Sequence, residues 1–139
     1  MKLNKEQKEL FNKITLNQDY GDVQKRFIIM GIEKGLDVSL YAKPEFDGVQ
    51  MLQIKLGLEQ GIDVSIYAKP EFHSTQMVQI RLGLEEGVDV LFYASPEFDC
   101  YQMEQIRLGL EDEIDVTPYL NPSLNYEEMQ KIRLTLEKK

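Results

Sequence analysis

The sequence has few of the residues on which enzyme and metal sites depend. Its 139 residues include one histidine, one cysteine and no tryptophan. The lone Cys100 cannot form an intrachain disulfide, which is typical of a reducing compartment, and the lone His73 cannot build a multi-histidine metal site. No Walker motif and no GxGxxG loop occurs. These absences predict that the protein is not an enzyme and has no catalytic residue, cofactor or metal.

Long apolar runs are also missing. Runs of apolar residues span only a few positions, far short of the roughly 20 that a membrane helix needs. Residues 1–6 contain neither the apolar stretch nor the cleavage site of a signal peptide. We therefore expect a cytoplasmic protein that has no membrane partner.

Basic residues are too few to balance the acidic ones. Sixteen lysines and arginines stand against 24 aspartates and glutamates, so the formal net charge is −8. An acidic chain is not expected to bind a phosphate backbone directly, because that binding depends on clustered basic side chains. The acidity can serve solubility alone, or it can present negative charge to a basic surface that normally holds nucleic acid.

What the sequence does contain is a repeat of 26 residues, and the first two complete copies are identical at 18 of those 26 positions. The copies occupy residues 37–62, 63–88, 89–114 and 115–139. A degenerate copy falls within residues 24–37, so residues 1–36 are expected to form an N-terminal cap and a degenerate repeat. Because a unit of this length cannot bury its apolar face alone, neighbouring units are expected to stack. Residues 115–139 then form a C-terminal capping repeat.

The second half of each unit predicts a helix of about 13 residues. In the first unit, Asp47 precedes Gln50 by three residues, which is the spacing of a capping box. Phe46 and Met51 have the spacing of a hydrophobic staple, and Gly61 stands where a left-handed residue ends a helix. The same signals recur in the later units.

Three features of this helix need separate interpretation. His73 occupies a cap position, where the neighbouring Ser74 could take over the capping, and Glu113 replaces the terminal glycine. A glycine also recurs in mid-helix, where it costs about 1 kcal/mol relative to alanine. This recurrence indicates a close backbone approach by the next unit. The mid-helix glycines are Gly31, Gly57, Gly83 and Gly109.

The first half of each unit predicts a shorter helix of one or two turns. Asp37 is a suitable N-cap, Val38 and Tyr41 would lie with Ala42 on the buried side, and Pro44 ends the element. A strand is the main alternative, because so short a segment does not distinguish the two periodicities. Together the halves predict an all-α fold, a right-handed α-solenoid of short-helix/long-helix pairs with about four and a half 26-residue repeats, forming a single domain over residues 1–139.

The recurring polar residues are interpreted as structural. A ladder of basic residues precedes glutamates by four positions, which favours ion pairs on and between helices over a charged track for a ligand. The recurring tyrosines could form a base-stacking platform, but their spacing with Val38 and Ala42 favours the core. The ladder comprises Lys55, Arg81, Arg107 and Arg133, and the tyrosines are Tyr41, Tyr67, Tyr93 and Tyr119.

Positions that vary between units are better candidates for a contact surface. On the long helix the columns that begin with Gly48, Val49 and Leu52 share one face. On the short helix an apolar column includes Phe92, and its exposure would mark either a contact site or packing between units. Cys100 lies in a first helical turn, where a variable surface residue is favoured over a nucleophile. The predicted partner-binding residues are Val49, Leu52, Thr75, Val78, Phe92, Cys100, Tyr101 and Glu104.

The unit Asp-Val-x-x-Tyr-Ala-x-Pro-x-Phe-x-x-x-Gln-Met-x-x-Ile-Arg-x-Gly-Leu-Glu-x-Gly resembles a short α-helical repeat in proteins of Firmicutes mobile genetic elements, including plasmids, phages and conjugative elements. The resemblance covers nearly the whole chain from about residue 24. It transfers no activity and no site residue. It implies a setting in which small acidic proteins can inhibit host defences such as CRISPR nucleases.

The sequence as a whole predicts a non-catalytic protein–protein interaction module that binds a protein partner through variable columns. The alternative is an acidic, anti-CRISPR-like inhibitor of a defence nuclease or another nucleic-acid enzyme, acting by nucleic-acid mimicry. The two differ in salt response, since charge mimicry weakens steeply with ionic strength. Neither hypothesis involves direct binding of nucleic acid, and the sequence leaves a homo-oligomer open.

Overall fold

The computed structural model describes residues 2–138, so Met1 and Lys139, the ends of the predicted domain, lie outside the described residues. The described residues contain six α-helices and no strand, which confirms the all-α prediction. The helices are α1 (Lys5–Thr15), α2 (Asp22–Glu33), α3 (Gly48–Glu59), α4 (Ser74–Glu85), α5 (Cys100–Glu111) and α6 (Tyr126–Glu137).

The predicted short helices are single 3-10 turns of three residues, shorter than the one or two α-helical turns expected. Asp37 shows why the first is tight: its carboxylate accepts hydrogen bonds from the backbone N–H and the hydroxyl of Ser39, which closes an Asx turn. The strand alternative is not realised in any of these segments. The 3-10 turns are Val38–Leu40, Val64–Ile66, Val90–Phe92 and Thr117–Tyr119.

The chain divides between Pro70 and Glu71 into two compact units, here called the N-terminal unit (residues 1–70) and the C-terminal unit (residues 71–139). The N-terminal unit contains α1 to α3, and the C-terminal unit contains α4 to α6. The single domain over the whole chain therefore stays a prediction, and each unit is described by itself.

The predicted capping boxes are present. In the N-terminal unit, the Asp47 carboxylate accepts from the Gln50 N–H at 2.8 Å, and the Gln50 side-chain oxygen accepts from the Asp47 N–H at 2.8 Å. Phe46 and Met51, the predicted staple, are fully buried. The same box begins α5 and α6 in the C-terminal unit.

At two positions where the sequence departs from the repeat, the substituted residue takes the same structural role. At α4, His73 itself caps the helix: its Nδ1 accepts from the Thr75 N–H at 3.2 Å, so the expectation that Ser74 would replace it was wrong. After α5, Glu113 has a φ of 59°, the left-handed region that the terminal glycines of α2, α3 and α4 occupy. The repeat therefore imposes this conformation even where the residue is not glycine, at a cost of about 1–2 kcal/mol.

The atoms that approach the mid-helix glycines belong to side chains and not to the backbone. A Cβ at Gly57 would lie 2.2 Å from the Tyr67 hydroxyl and 2.6 Å from a methyl group of Val64. The Tyr67 hydroxyl lies over the helix because it donates to the Gln53 carbonyl at 2.7 Å. The predicted close approach is thus real, but the prediction that backbone makes it was wrong.

A second hydrogen bond made by the capping glutamines also recurs, and the spacing of the capping box does not predict it. In the N-terminal unit, Gln24 caps α2 and also donates from its amide nitrogen to the Phe46 carbonyl at 2.6 Å. In the C-terminal unit, Gln102 donates to the Pro122 carbonyl at 2.9 Å and to the Leu124 carbonyl at 2.6 Å. One glutamine therefore satisfies its own helix terminus and also holds the loop that follows the next 3-10 turn.

Candidate functional site

The basic ladder is engaged within the chain. Lys55 pairs with Glu59 four residues on, at 2.5 Å in the N-terminal unit, and the hydrogen bond from Lys55 is the largest effect lowering the pKa of Glu59. In the C-terminal unit, Arg107 pairs with Glu111 and also donates from Nε to the Gln79 side-chain oxygen of the preceding helix at 2.9 Å. The interpretation as a structural lattice is confirmed.

The tyrosine column is core, as the helical spacing favoured. Tyr41 and Tyr67 in the N-terminal unit and Tyr93 in the C-terminal unit are fully buried. Burial raises the pKa of Tyr93 well above its ordinary value, because a charged phenolate would lose its hydration. The Tyr93 hydroxyl donates to the Gln79 carbonyl at 2.6 Å. These rings are therefore not available to stack on a base.

The predicted partner-binding residues differ in exposure. Val49, Thr75 and Tyr101 are exposed, as is Phe92 on the 3-10 turn Val90–Phe92. The remaining four predicted positions are half-buried and so present less surface to a partner: Leu52, Val78, Cys100 and Glu104.

Three of these predicted residues meet in the C-terminal unit. Thr75, Cys100 and Tyr101 line one open groove of about 570 Å³ at the beginning of α4 and α5. Phe92 does not line it. The remaining lining residues of this surface, here called the α4–α5 groove, are His73, Gln76, Pro96, Glu97, Asp99, Gln102 and Pro122.

One lining residue of the α4–α5 groove, Tyr101, belongs to an exposed aromatic pair whose other member, Tyr126, is not a lining residue. The rings of Tyr101 and Tyr126 are tilted by 37°, with their centroids 5.5 Å apart, and the two side chains are 61% and 42% exposed. Tyr126 lies in the variable column that begins with Gly48, although it was not among the eight predicted partner-binding residues. It is a second aromatic residue in the first helical turn of the following unit, one column from Tyr101.

His73 and Cys100 both line the groove, which the sequence did not indicate. His73 Nδ1 is engaged with the Thr75 N–H and lies 2.9 Å from the Thr75 hydroxyl oxygen. Within residues 2–138, no hydrogen bond joins His73 to Cys100 and no group of potential ligands could hold a metal ion.

The two units differ in charge. Residues 1–70 contain ten acidic and ten basic side chains, whereas residues 71–139 contain 14 acidic and six basic ones, so the whole net charge of −8 lies in the C-terminal unit. Glu97 and Asp99 bring part of this charge to the α4–α5 groove, and no lysine or arginine lines it. By contrast, a cavity of about 450 Å³ in the N-terminal unit is lined by three basic residues, Lys8, Lys25 and Arg26, and one acidic residue, Asp22.

Comparisons with known proteins add no family. Scans against family models, curated proteins and solved structures each found no match to this chain. Among residues 2–138, no helix combines the length and the apolar character needed to cross a lipid bilayer.

Proposed function

We propose that this protein is a non-catalytic protein-binding module whose contact surface is the α4–α5 groove together with the exposed aromatic pair. The observation that supports the proposal is that recurring and variable side chains have different surroundings. The recurring polar residues use their hydrogen-bonding groups within the chain, as Arg107 and Gln102 do. The variable residues Thr75, Cys100 and Tyr101 meet instead on an open surface, which is where recognition by a repeat scaffold is expected.

The scaffold that we propose is a cytoplasmic right-handed α-solenoid of about four and a half 26-residue repeats. Its support is that both units use the same bonds at the same spacing, such as Tyr41 to Phe27 in one and Tyr93 to Gln79 in the other. A solenoid of this size is expected to melt in one cooperative transition. Two separated transitions, or a stable proteolytic fragment released by a cut within residues 37–114, would contradict it.

Partner capture from the lysate of a Firmicutes host tests the binding surface. The groove variant combines Thr75→Ala with Tyr101→Ser, and the control is Leu16→Ser in the N-terminal unit, where Leu16 is 76% exposed. We expect the groove variant to lose the partner that the control retains, with unchanged far-ultraviolet circular dichroism in both. A Phe92→Ser variant reports whether the 3-10 turn contributes. Equal capture by the groove variant and the control would contradict the proposal.

The second candidate function, an acidic inhibitor of a nucleic-acid enzyme such as a defence nuclease, is favoured by the confinement of the net charge to residues 71–139 and by the resemblance to repeats of mobile elements. Such an inhibitor would occupy a basic groove, so capture would weaken steeply between about 50 mM and about 500 mM salt and would compete with duplex DNA. Capture that persists at high salt would exclude this mechanism and leave the protein-binding module.

A further inference from the structure

We infer that the α4–α5 groove accepts an arginine side chain from a basic segment of the partner protein. The inference rests on the proposed function and names the chemistry of the segment that the groove would hold. It is carried by the combination of an exposed aromatic pair, two carboxylates and the absence of basic side chains from the groove lining.

The aromatic pair is suited to a guanidinium. A planar guanidinium stacks on tyrosine faces and is more weakly hydrated than an ammonium group, so it loses less on contact with a ring. Tyr101 and Tyr126 keep substantial exposure although their centroids are only 5.5 Å apart. A cation on a face of Tyr101 lies within the roughly 6 Å over which a ring attracts it, and Tyr126 supplies a second ring beside that site.

The carboxylates of the groove complete the site. Glu97 and Asp99 line it, and within residues 2–138 neither forms an ion pair with a lysine or arginine. One oxygen of Asp99 already accepts from the Gln102 N–H at 2.8 Å, which satisfies part of the positive N-terminus of α5. The helix terminus that would otherwise favour an anion is thus capped, and Glu97 remains to accept from a guanidinium.

The charge of the surrounding surface favours the same ligand. The C-terminal unit has the net charge of −8 that the N-terminal unit lacks, so a basic segment would be steered towards residues 71–139. The two proline carbonyls nearest the groove are occupied by glutamine donors, Gln76 to Pro96 and Gln102 to Pro122. Recognition of an extended strand through those carbonyls is therefore disfavoured relative to recognition of a side chain.

The test uses the full chain and two fluorescein-labelled peptides, one of alternating arginine and serine and one with citrulline in place of each arginine. Fluorescence anisotropy at low salt is expected to show binding of the arginine peptide and about tenfold weaker binding of the neutral citrulline peptide. Tyr101→Leu should weaken the arginine peptide about threefold to tenfold, because it removes the ring and keeps the apolar bulk. Tyr101→Phe keeps the ring face and should bind as the unsubstituted chain does.

Charge controls separate the groove from the acidic unit as a whole. Glu97→Gln should weaken the arginine peptide about twofold to fivefold, whereas Glu86→Gln, in an exposed residue that lines a different cavity, should leave it unchanged. Equal weakening by Glu97→Gln and Glu86→Gln, or equal affinity for the two peptides, would overturn the inference. If it is overturned while lysate capture still depends on Thr75 and Tyr101, the protein-binding function stands with a different ligand; if capture is also independent of them, both fail.

Discussion

The N-terminal and C-terminal units use the same interior and present different surfaces. In each unit, a tyrosine hydroxyl lies against a mid-helix glycine and donates to a backbone carbonyl of the helix that contains this glycine. Tyr67 and Tyr93 are the examples. In each, a capping glutamine also holds a later loop, as Gln24 and Gln102 do. Yet residues 1–70 are neutral and residues 71–139 have a charge of −8. The interior bonds therefore do not determine the surface charge.

The largest expected effect, and the strongest test of whether the two interiors are equivalent, comes from adding a methyl group at the mid-helix glycines. Gly57→Ala and Gly83→Ala would place a Cβ 2.2 Å and 2.1 Å from a tyrosine hydroxyl in their respective units. We expect each to lower the free energy of unfolding by about 3 kcal/mol through overpacking, despite the better helix propensity of alanine. The measurement is urea denaturation followed by circular dichroism.

The control for that pair is Thr135→Ala, which changes the equivalent and exposed position of α6 and should alter the free energy of unfolding by less than about 0.5 kcal/mol. If only one of the two variants lowers the free energy of unfolding, the interiors of the two units are not equivalent.

The bridging glutamines offer a second comparison. Gln24→Glu and Gln102→Glu keep the acceptor of the capping box and remove the amide donor, so the loop carbonyls in each unit lose their partner. We expect losses of about 2 kcal/mol in the free energy of unfolding at neutral pH. The matched control is Glu128→Gln in α6, where the box already has a glutamate and stability should change little. Losses confined to the C-terminal unit would indicate charge repulsion there rather than the missing donor.

The buried tyrosines predict a response to alkaline pH that is common to both units. The pKa values of Tyr41 and Tyr93 are raised above the ordinary 10.0, mainly by burial. The unfolded chain therefore releases protons above pH 10.0 that the folded chain still holds, so the contribution of these two tyrosines to the free energy of unfolding is constant below that pH and falls above it.

Tyr41→Phe and Tyr93→Phe should each lower the free energy of unfolding by about 1 kcal/mol at neutral pH, because one hydrogen bond is lost. In each variant the free energy of unfolding should also fall less steeply between pH 10.0 and about pH 11. Urea denaturation over this pH range is the measurement. An unchanged slope in both variants would contradict the assignment of the decline to these hydroxyls.

The smallest effect concerns a difference between the units. Glu113 holds a left-handed conformation where Gly61 does so in the N-terminal unit, with φ of 59° and 73°. Glu113→Gly should raise the thermal midpoint through a gain of about 1 kcal/mol, since glycine adopts this region without strain. Gly61→Ala should cause a loss of similar size, and a loss on Glu113→Gly would mean that the glutamate side chain contributes a contact of its own.

Much of the scaffold could be predicted from sequence because its determinants are local. The capping box of Asp47 and Gln50 and the staple of Phe46 and Met51 act over five residues or fewer, and both are present as expected. The second bond of Gln102, to carbonyls 20 and 22 residues away, could not be derived from spacing. His73 was misjudged because a histidine ring nitrogen caps a helix rarely, and the sequence rule favours serine.

The candidate site was predicted only in part, for a similar reason. Variable positions identify residues that the interior does not need, so Thr75 and Tyr101 were found. Variation does not say which of them converge, and the half-buried Leu52 and Val78 were grouped with exposed ones. The pairing of Tyr101 with Tyr126 depends on side-chain directions across adjacent helices, which the repeat alignment does not contain.

The most direct test of the central claim is a nitrogen-15 NMR titration of the full chain with the arginine peptide. We expect amide shifts to change around Thr75, Cys100, Tyr101 and Tyr126, while those around Val49, an exposed position in the neutral N-terminal unit, stay in place. Shift changes spread evenly over the acidic residues of 71–139, or centred on the N-terminal unit, would contradict it.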